Sequence, residues 1–181
     1  MTAHLLSNLE AVSRGLTEMA LGMLFRELPD TLAGVVGERQ AAILLAKVAA
    51  SAARRGFTEF LRAAGAGRLE PLEALTVFLR PKGGAPVHPF QHVERIETGG
   101  GRAVLVLSSD VGWGLPRAGM MAGVVAGVLE ALGLDARPLT GVEAVSQLCR
   151  SGGSPVAVYP EGSGARWRIV VDFQACRGGE G

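Results

Sequence analysis

Leu5, Leu9, Val12, Leu16, Met19 and Met23 recur at steps of three and four along the first segment of the chain. That spacing lines one side of an amphipathic helix, predicted to end near Pro29, where proline interrupts the hydrogen-bond ladder. The stripe suits a core or a dimer seam equally. Asp30 or Thr31 caps a short turn, and Gly37 breaks it. Residues 38–64 read as one long helix with Gly56 inside it. Its apolar side is assigned to Ile43, Leu44, Val48, Ala52, Phe57, Phe60 and Leu61, and Arg54 and Arg55 fall on its wet side. Residues 70–79 read as a third helix, with Pro71 in its first turn and Leu72, Leu75, Phe78 and Leu79 facing inward.

A proline- and glycine-rich loop at 81–89 follows. Residues 92–97 and 102–108 read as strands, and Thr98-Gly99-Gly100-Gly101 joins them as a hairpin. A loop carrying Trp113 leads into a helical pattern over 116–132 that contains Gly119, Gly123 and Gly127. Each mid-helix glycine costs about 1 kcal/mol relative to alanine. Three at a spacing of four share one helix face, which Ala118, Ala122 and Ala126 widen. A strand, another helix or a flat ligand must approach that face at backbone distance, and tight packing on a sheet is the plainest reading. Gly133 closes the helix. Residues 136–139 start a strand, and 141–149 fit a helix by spacing and a strand by position. Residues 155–159 and 166–173 read as strands joined by a turn at Gly162-Ser163-Gly164, and 177–181 form a tail. Helices first, then hairpin, helix and strands, without strict alternation, predict an α+β domain with an antiparallel sheet. The whole of 1–181 is expected to be one domain, with 1–28 as its N-terminal helix and 35–176 as the body.

Composition narrows the function classes. The chain is 48% hydrophobic and 19% charged, with a net charge of +1 and 5% aromatics. Nothing here forms the basic, aromatic-studded surface that nucleic acids require. The apolar stretch 118–134 falls short of the ~20 residues that span a bilayer and includes Glu130. Two cysteines, Cys149 and Cys176, do not make a disulfide framework, so a reducing cytoplasmic setting is expected, with Cys149 as a buried or half-buried thiol.

Candidate chemistry is sparse. The histidines are His4, His88 and His92. His88 and His92 carry metal-ligand spacing only on a helix, which Pro86 and Pro89 oppose. Gly99-Gly100-Gly101 joins two strands and so is no phosphate cradle. Asp110-Val-Gly-Trp-Gly offers at most a weak anion nest. Asp110, Glu161 and Asp172 read as turn or edge carboxylates, with no pair poised for acid–base chemistry. No catalytic site, metal site or cofactor is therefore expected.

The C-terminal half resembles the 4-vinyl reductase domain family, whose superfamily includes the TRAPP vesicle-tethering subunits. Three stretches carry the resemblance: the hairpin at 92–108, the glycine helix beginning Gly119-Met-Met-Ala-Gly-Val-Val-Ala-Gly, and Cys149-Arg-Ser-Gly-Gly153-Ser-Pro155-Val-Ala157. The family's closing signature reads Cys-x3-Gly-Asp-Pro-x-Cys-x-Phe. Cys149, Gly153 and Pro155 match it, whereas Ser154 stands for the aspartate and Ala157 for the second cysteine. Ala53-Arg-Arg-Gly-Phe is also similar to the family's arginine-glycine helix end, so the likeness spans about residues 35–160. It implies a small TRAPP-like α+β domain with a twisted antiparallel sheet, acting as a non-enzymatic regulatory or accessory domain for an apolar, hydrocarbon-like ligand. TRAPP-like relatives dimerise through helices, so a homodimer or a protein partner is also implied, and a scaffold without ligand is the alternative. No nicotinamide fingerprint supports a reductase. A pocket between helices and sheet would be lined by Phe57, Phe60, Leu61, Trp113, Met120, Met121 and Val124. An enclosed apolar cavity would favour the ligand reading, and a packed core with an exposed apolar helix face would favour the scaffold.

Overall fold

The computed structural model describes residues 24–63, 65, 69–79, 93–108, 112–150 and 152–176. The stripe from Leu5 to Met23, His4, His88, His92, Asp110, the loop 81–89 and the tail 177–181 lie outside the described residues, as do the side chains of Phe78 and Leu79.

Helix α1 covers residues 24–36 and runs through Pro29 instead of ending there. Proline has no N–H, so the carbonyl of Phe25, four residues earlier, loses its helical donor. Arg117 supplies another: its Nε donates to the Phe25 carbonyl at 3.3 Å, and its Nη2 donates to the Arg26 carbonyl and, at 2.6 Å, to the Asp30 carboxylate. The Arg117 side chain is only 12% exposed, so this guanidinium plugs the interrupted ladder from a partly dry position. Gly37, at φ +84°, then turns the chain into α2, Glu38–Ala63. Helix α3 is Pro71–Leu79.

Helix α4, Leu115–Ala131, sits between two layers and is buried nearly all round. One side packs on α2, and the other lies on the sheet. The glycine face meets α2, not the sheet. A Cβ placed on Gly119 would lie 2.9 Å from the Cβ of Ala42. On Gly123 it would strike the Ala46 carbonyl oxygen and lie 2.7 Å from the Ala46 Cα, and on Gly127 it would strike the Ala50 carbonyl. Ala42, Ala46 and Ala50 repeat at the same interval of four, so small residues face small residues along the whole seam. That arrangement corrects the assigned apolar side of α2. Ala41, Ala42, Leu45, Ala46, Ala50 and Phe57 are buried, while Leu44, Val48, Ala52 and Phe60 are exposed. The bulkier side chains point away because close helix approach leaves room only for alanine.

The sheet has five strands in the order β1-β2-β5-β4-β3. They are β1 Val93–Gly99, β2 Arg102–Leu107, β3 Ala136–Pro138, β4 Val156–Ser163 and β5 Arg166–Asp172. β1 and β2 form the predicted hairpin, turning through Gly100 and Gly101 at φ +57° and +73°, the two positive values a tight two-residue turn needs. Pairing is antiparallel except between β3 and β4, which run parallel. Parallel neighbours need a crossover, here residues 139–155, and it contains a 3-10 turn, Val142–Ala144, and helix α5, Val145–Arg150. The ambiguous segment 141–149 is therefore helical.

Strand alternation divides the side chains between two faces. Ala103, Leu105, Leu107, Val158, Ile169 and Val171 face α4 and form the main core with Phe57, Leu75, Met121, Val125 and Leu129. On the opposite face Ala157, Tyr159 and Val170 form a second, smaller cluster, against which Val104, Leu139, Val145, Leu148 and Ala175 pack. The crossover thus roofs part of the outer face.

Candidate functional site

The predicted lining set is brought together only in part. Phe57, Trp113 and Met121 are buried members of the main core, and Leu61 and Met120 pack against it. Trp113 lies edge-on to Phe25 at 6.0 Å and donates its indole N–H to the Ser108 carbonyl at 2.6 Å. Val124 is buried but lies outside that cluster. Phe60 stacks on Phe57 at 5.8 Å yet remains 45% exposed.

A cleft of about 810 Å³ opens elsewhere, where β1 and β2 part from the β4–β5 hairpin. Arg95, Glu97, Glu161, Arg166, Trp167 and Arg168 help to line it. Arg95 pairs with Glu97 at 2.7 Å, and Arg168 pairs with Glu161 at 2.6 Å. Arg95 and Glu97 stand two residues apart on one face of β1, whereas Glu161 and Arg168 face each other across β4 and β5, and both pairs belong to an open polar surface. Its ion-paired lining matches a solvated surface better than a hydrocarbon site.

Of the two readings of Asp172, a turn or an edge carboxylate, the structure bears out the turn and not the edge. Asp172 ends the central strand, is buried, accepts from Arg102 Nε at 2.7 Å and from the backbone N–H of Gln174 at 3.0 Å. The latter bond starts the turn 173–176, which the Phe173 N–H ties to the Gly101 carbonyl at 3.0 Å. Beside it, burial pushes the Tyr159 phenol above its ordinary range, helped by the negative charges of Asp172 and Glu161 and opposed by Arg102 and Arg168.

The largest departure concerns the cysteines. Cys149, in α5, is bonded to Cys176, in the turn after β5, across a separation of 27 residues. Cys149 is not a lone thiol, and the ground on which cysteine usage suggested a reducing compartment is gone. Nothing in the local spacing marks this pair. The available signal was topological: Cys176 follows the last strand, and the crossover carrying Cys149 must roof the same sheet.

The surface of α1 and α2 carries the other unassigned feature. Leu24, Leu28 and Val35 are exposed at steps of four and seven along α1, and Leu44 and Val48 are exposed a turn apart on α2. Val35 is 78% exposed and Val48 69%. Among the described residues, no cluster of histidine, cysteine or carboxylate side chains could hold a metal ion, and no helix is long and apolar enough to cross a membrane. Comparisons of the chain with protein-family models, with curated proteins and with solved structures find no match.

Proposed function

We propose that this chain is a non-enzymatic binding domain that works through protein contact, most simply as a homodimer joined by the outward faces of α1 and α2. The observation that carries this reading is the large apolar side chains left in water at Leu24, Leu28 and Val35 on α1 and at Leu44 and Val48 on α2. Single exposed hydrophobics are ordinary, but repeats at helical spacing on neighbouring helices are what interaction faces look like. The resemblance to TRAPP-like proteins, which dimerise through helices, agrees with it. Sedimentation equilibrium tests it. The wild-type chain should be dimeric and Leu44→Asp/Val48→Asp monomeric with an unchanged circular dichroism spectrum. A wild-type chain that is monomeric at every concentration would overturn the homodimer.

A second reading, an accessory domain for an apolar small molecule of the kind the 4-vinyl reductase resemblance implies, is supported by one observation. Met120 and Met121 lie towards the Trp113 end of α4 at the main core, and methionines adapt readily to a guest, whereas the α2–α4 pairing places Phe57 and Leu61 towards the other end. Under either reading the chain carries no catalytic step, and its compartment follows from whether Cys149–Cys176 is bridged in the cell.

A further inference from the structure

We infer that residues 142–150 form a latched cover over the outer face of the sheet, and that thiol–disulfide exchange at Cys149–Cys176 is the latch. Four features of the chain support this. The cover is short, a 3-10 turn followed by a six-residue helix, and none of its residues is fully buried. It is bracketed by glycines: Gly141 precedes it, and Gly152 and Gly153 follow at φ +80° and +86°. Its hold on the sheet includes half-buried Val145 and Leu148 and the covalent bridge. Both cysteines are partly accessible to solvent, as exchange requires.

What the cover hides is apolar. Ala157, Tyr159 and Val170 form a patch apart from the main core, with Val104 beside them. The rest of that face carries the ion pairs Arg102–Asp172 and Arg168–Glu161, so a small hydrophobic area would be framed by charge once uncovered. The strands beneath are held independently by their own ladders and by α4, so the cover can leave without dissolving the sheet.

The reductant is a dithiol. One of its thiolates attacks a sulfur of the bridge and forms a mixed disulfide, expelling the other cysteine as thiolate. Its second thiol then closes to a cyclic disulfide, releasing the first cysteine. Two electrons pass to the protein, which gains two protons as Cys149 and Cys176 become thiols. Oxidation by a small disulfide reverses the step.

Hydrogen exchange of the full chain, with and without dithiothreitol, tests the inference, alongside binding of an apolar fluorescent dye. On reduction the amides of 142–150 and 173–176 should exchange at least about tenfold faster, while those of Ala103–Leu107 and Ala118–Leu129 keep their protection. Dye fluorescence should rise, and both effects should reverse with oxidised dithiothreitol. The Cys149→Ala/Cys176→Ala variant should show the opened pattern at once and ignore the reductant. Loss of protection throughout the sheet and α4 would make the bridge a structural staple and overturn the switch. Unchanged exchange in the cover, or alkylation of both cysteines in protein prepared without reductant, would overturn it equally.

Discussion

Replacing Gly123 with alanine adds one methyl group at the middle of the α2–α4 seam. By helix propensity alone the change should stabilise by about 1 kcal/mol. The structure predicts the opposite sign. The new carbon would lie 2.7 Å from the Ala46 Cα and closer still to the Ala46 carbonyl oxygen, both backbone atoms that no rotamer change can move. Carbon atoms rest about 3.5–4.0 Å apart, so the helices must part locally by about 1 Å. A gap of that size forfeits up to half of each contact along the neighbouring rows at Gly119 and Gly127. Overpacking of this kind costs about 1–3 kcal/mol, and a backbone-limited case belongs at or above the upper end, leaving a net loss of about 2 kcal/mol. In a chain of 181 residues that corresponds to a fall in Tm of about 4–8 °C. Gly56→Ala is the internal control, because nothing lies within 4 Å of a Cβ there, and it should raise stability by about 1 kcal/mol. A second control uses the seam's own chemistry. At Gly119 the obstacle is the Ala42 Cβ, so Ala42→Gly should partly rescue Gly119→Ala, whereas Ala46→Gly should not rescue Gly123→Ala. Urea midpoints at constant m-value measure all of these. A Gly123→Ala chain as stable as Gly56→Ala would refute the close-approach argument.

Three further outcomes follow from named contacts. Arg117→Met should destabilise by about 1–3 kcal/mol, because it removes the guanidinium bonds to the Phe25 and Arg26 carbonyls, and Pro29→Ala should recover part of that loss by restoring the helical N–H; a double-mutant cycle with no coupling would contradict the plug. Cys149→Ser should lower stability by up to about 3.6 kcal/mol, from the closure of a loop spanning 27 residues, read as a shift in urea midpoint under oxidising conditions; a silent substitution would mean that the bridge is not formed. Tyr159 is held neutral by burial, so the unfolded chain gives up this proton before the folded one does. Stability is therefore intact below about pH 10 and falls as the pH rises from there towards the raised folded value, and Tyr159→Phe should flatten that alkaline fall in chemical denaturation.

Much of the architecture was legible because local rules and tertiary packing agree. The 92–108 hairpin, the long helix from Glu38 and the class α+β follow from period, turn glycines and element order, and the glycine face does mark a close approach. What approaches it was not legible. Small residues on a helix specify distance, not whether a strand or a helix fills it, and the matching row Ala42, Ala46, Ala50 hides among better-looking apolar positions. Weighing Leu44 and Val48 above those alanines reversed the faces of α2, since hydrophobicity scales reward bulk and a tight seam excludes it. Pro29 misled for a different reason. Its missing donor is replaced by Arg117, 88 residues later, a long-range contact that no local window contains. The parallel pairing of β3 and β4 was equally hidden, and with it the roof that brings Cys149 to Cys176. Of the predicted lining, Phe57, Leu61, Trp113, Met120 and Met121 belong to or pack against the main core, with Phe57 and Leu61 towards the opposite end of α4 from Trp113, whereas Phe60 and Val124 fall outside it.

Native mass spectrometry of the protein purified from its own host, followed by denaturation of the same sample, tests the proposed function most directly. The account predicts two copies of the chain in one complex, with no small molecule released on denaturation. A monomer that gives up a stoichiometric apolar compound would contradict it and favour the ligand-binding reading.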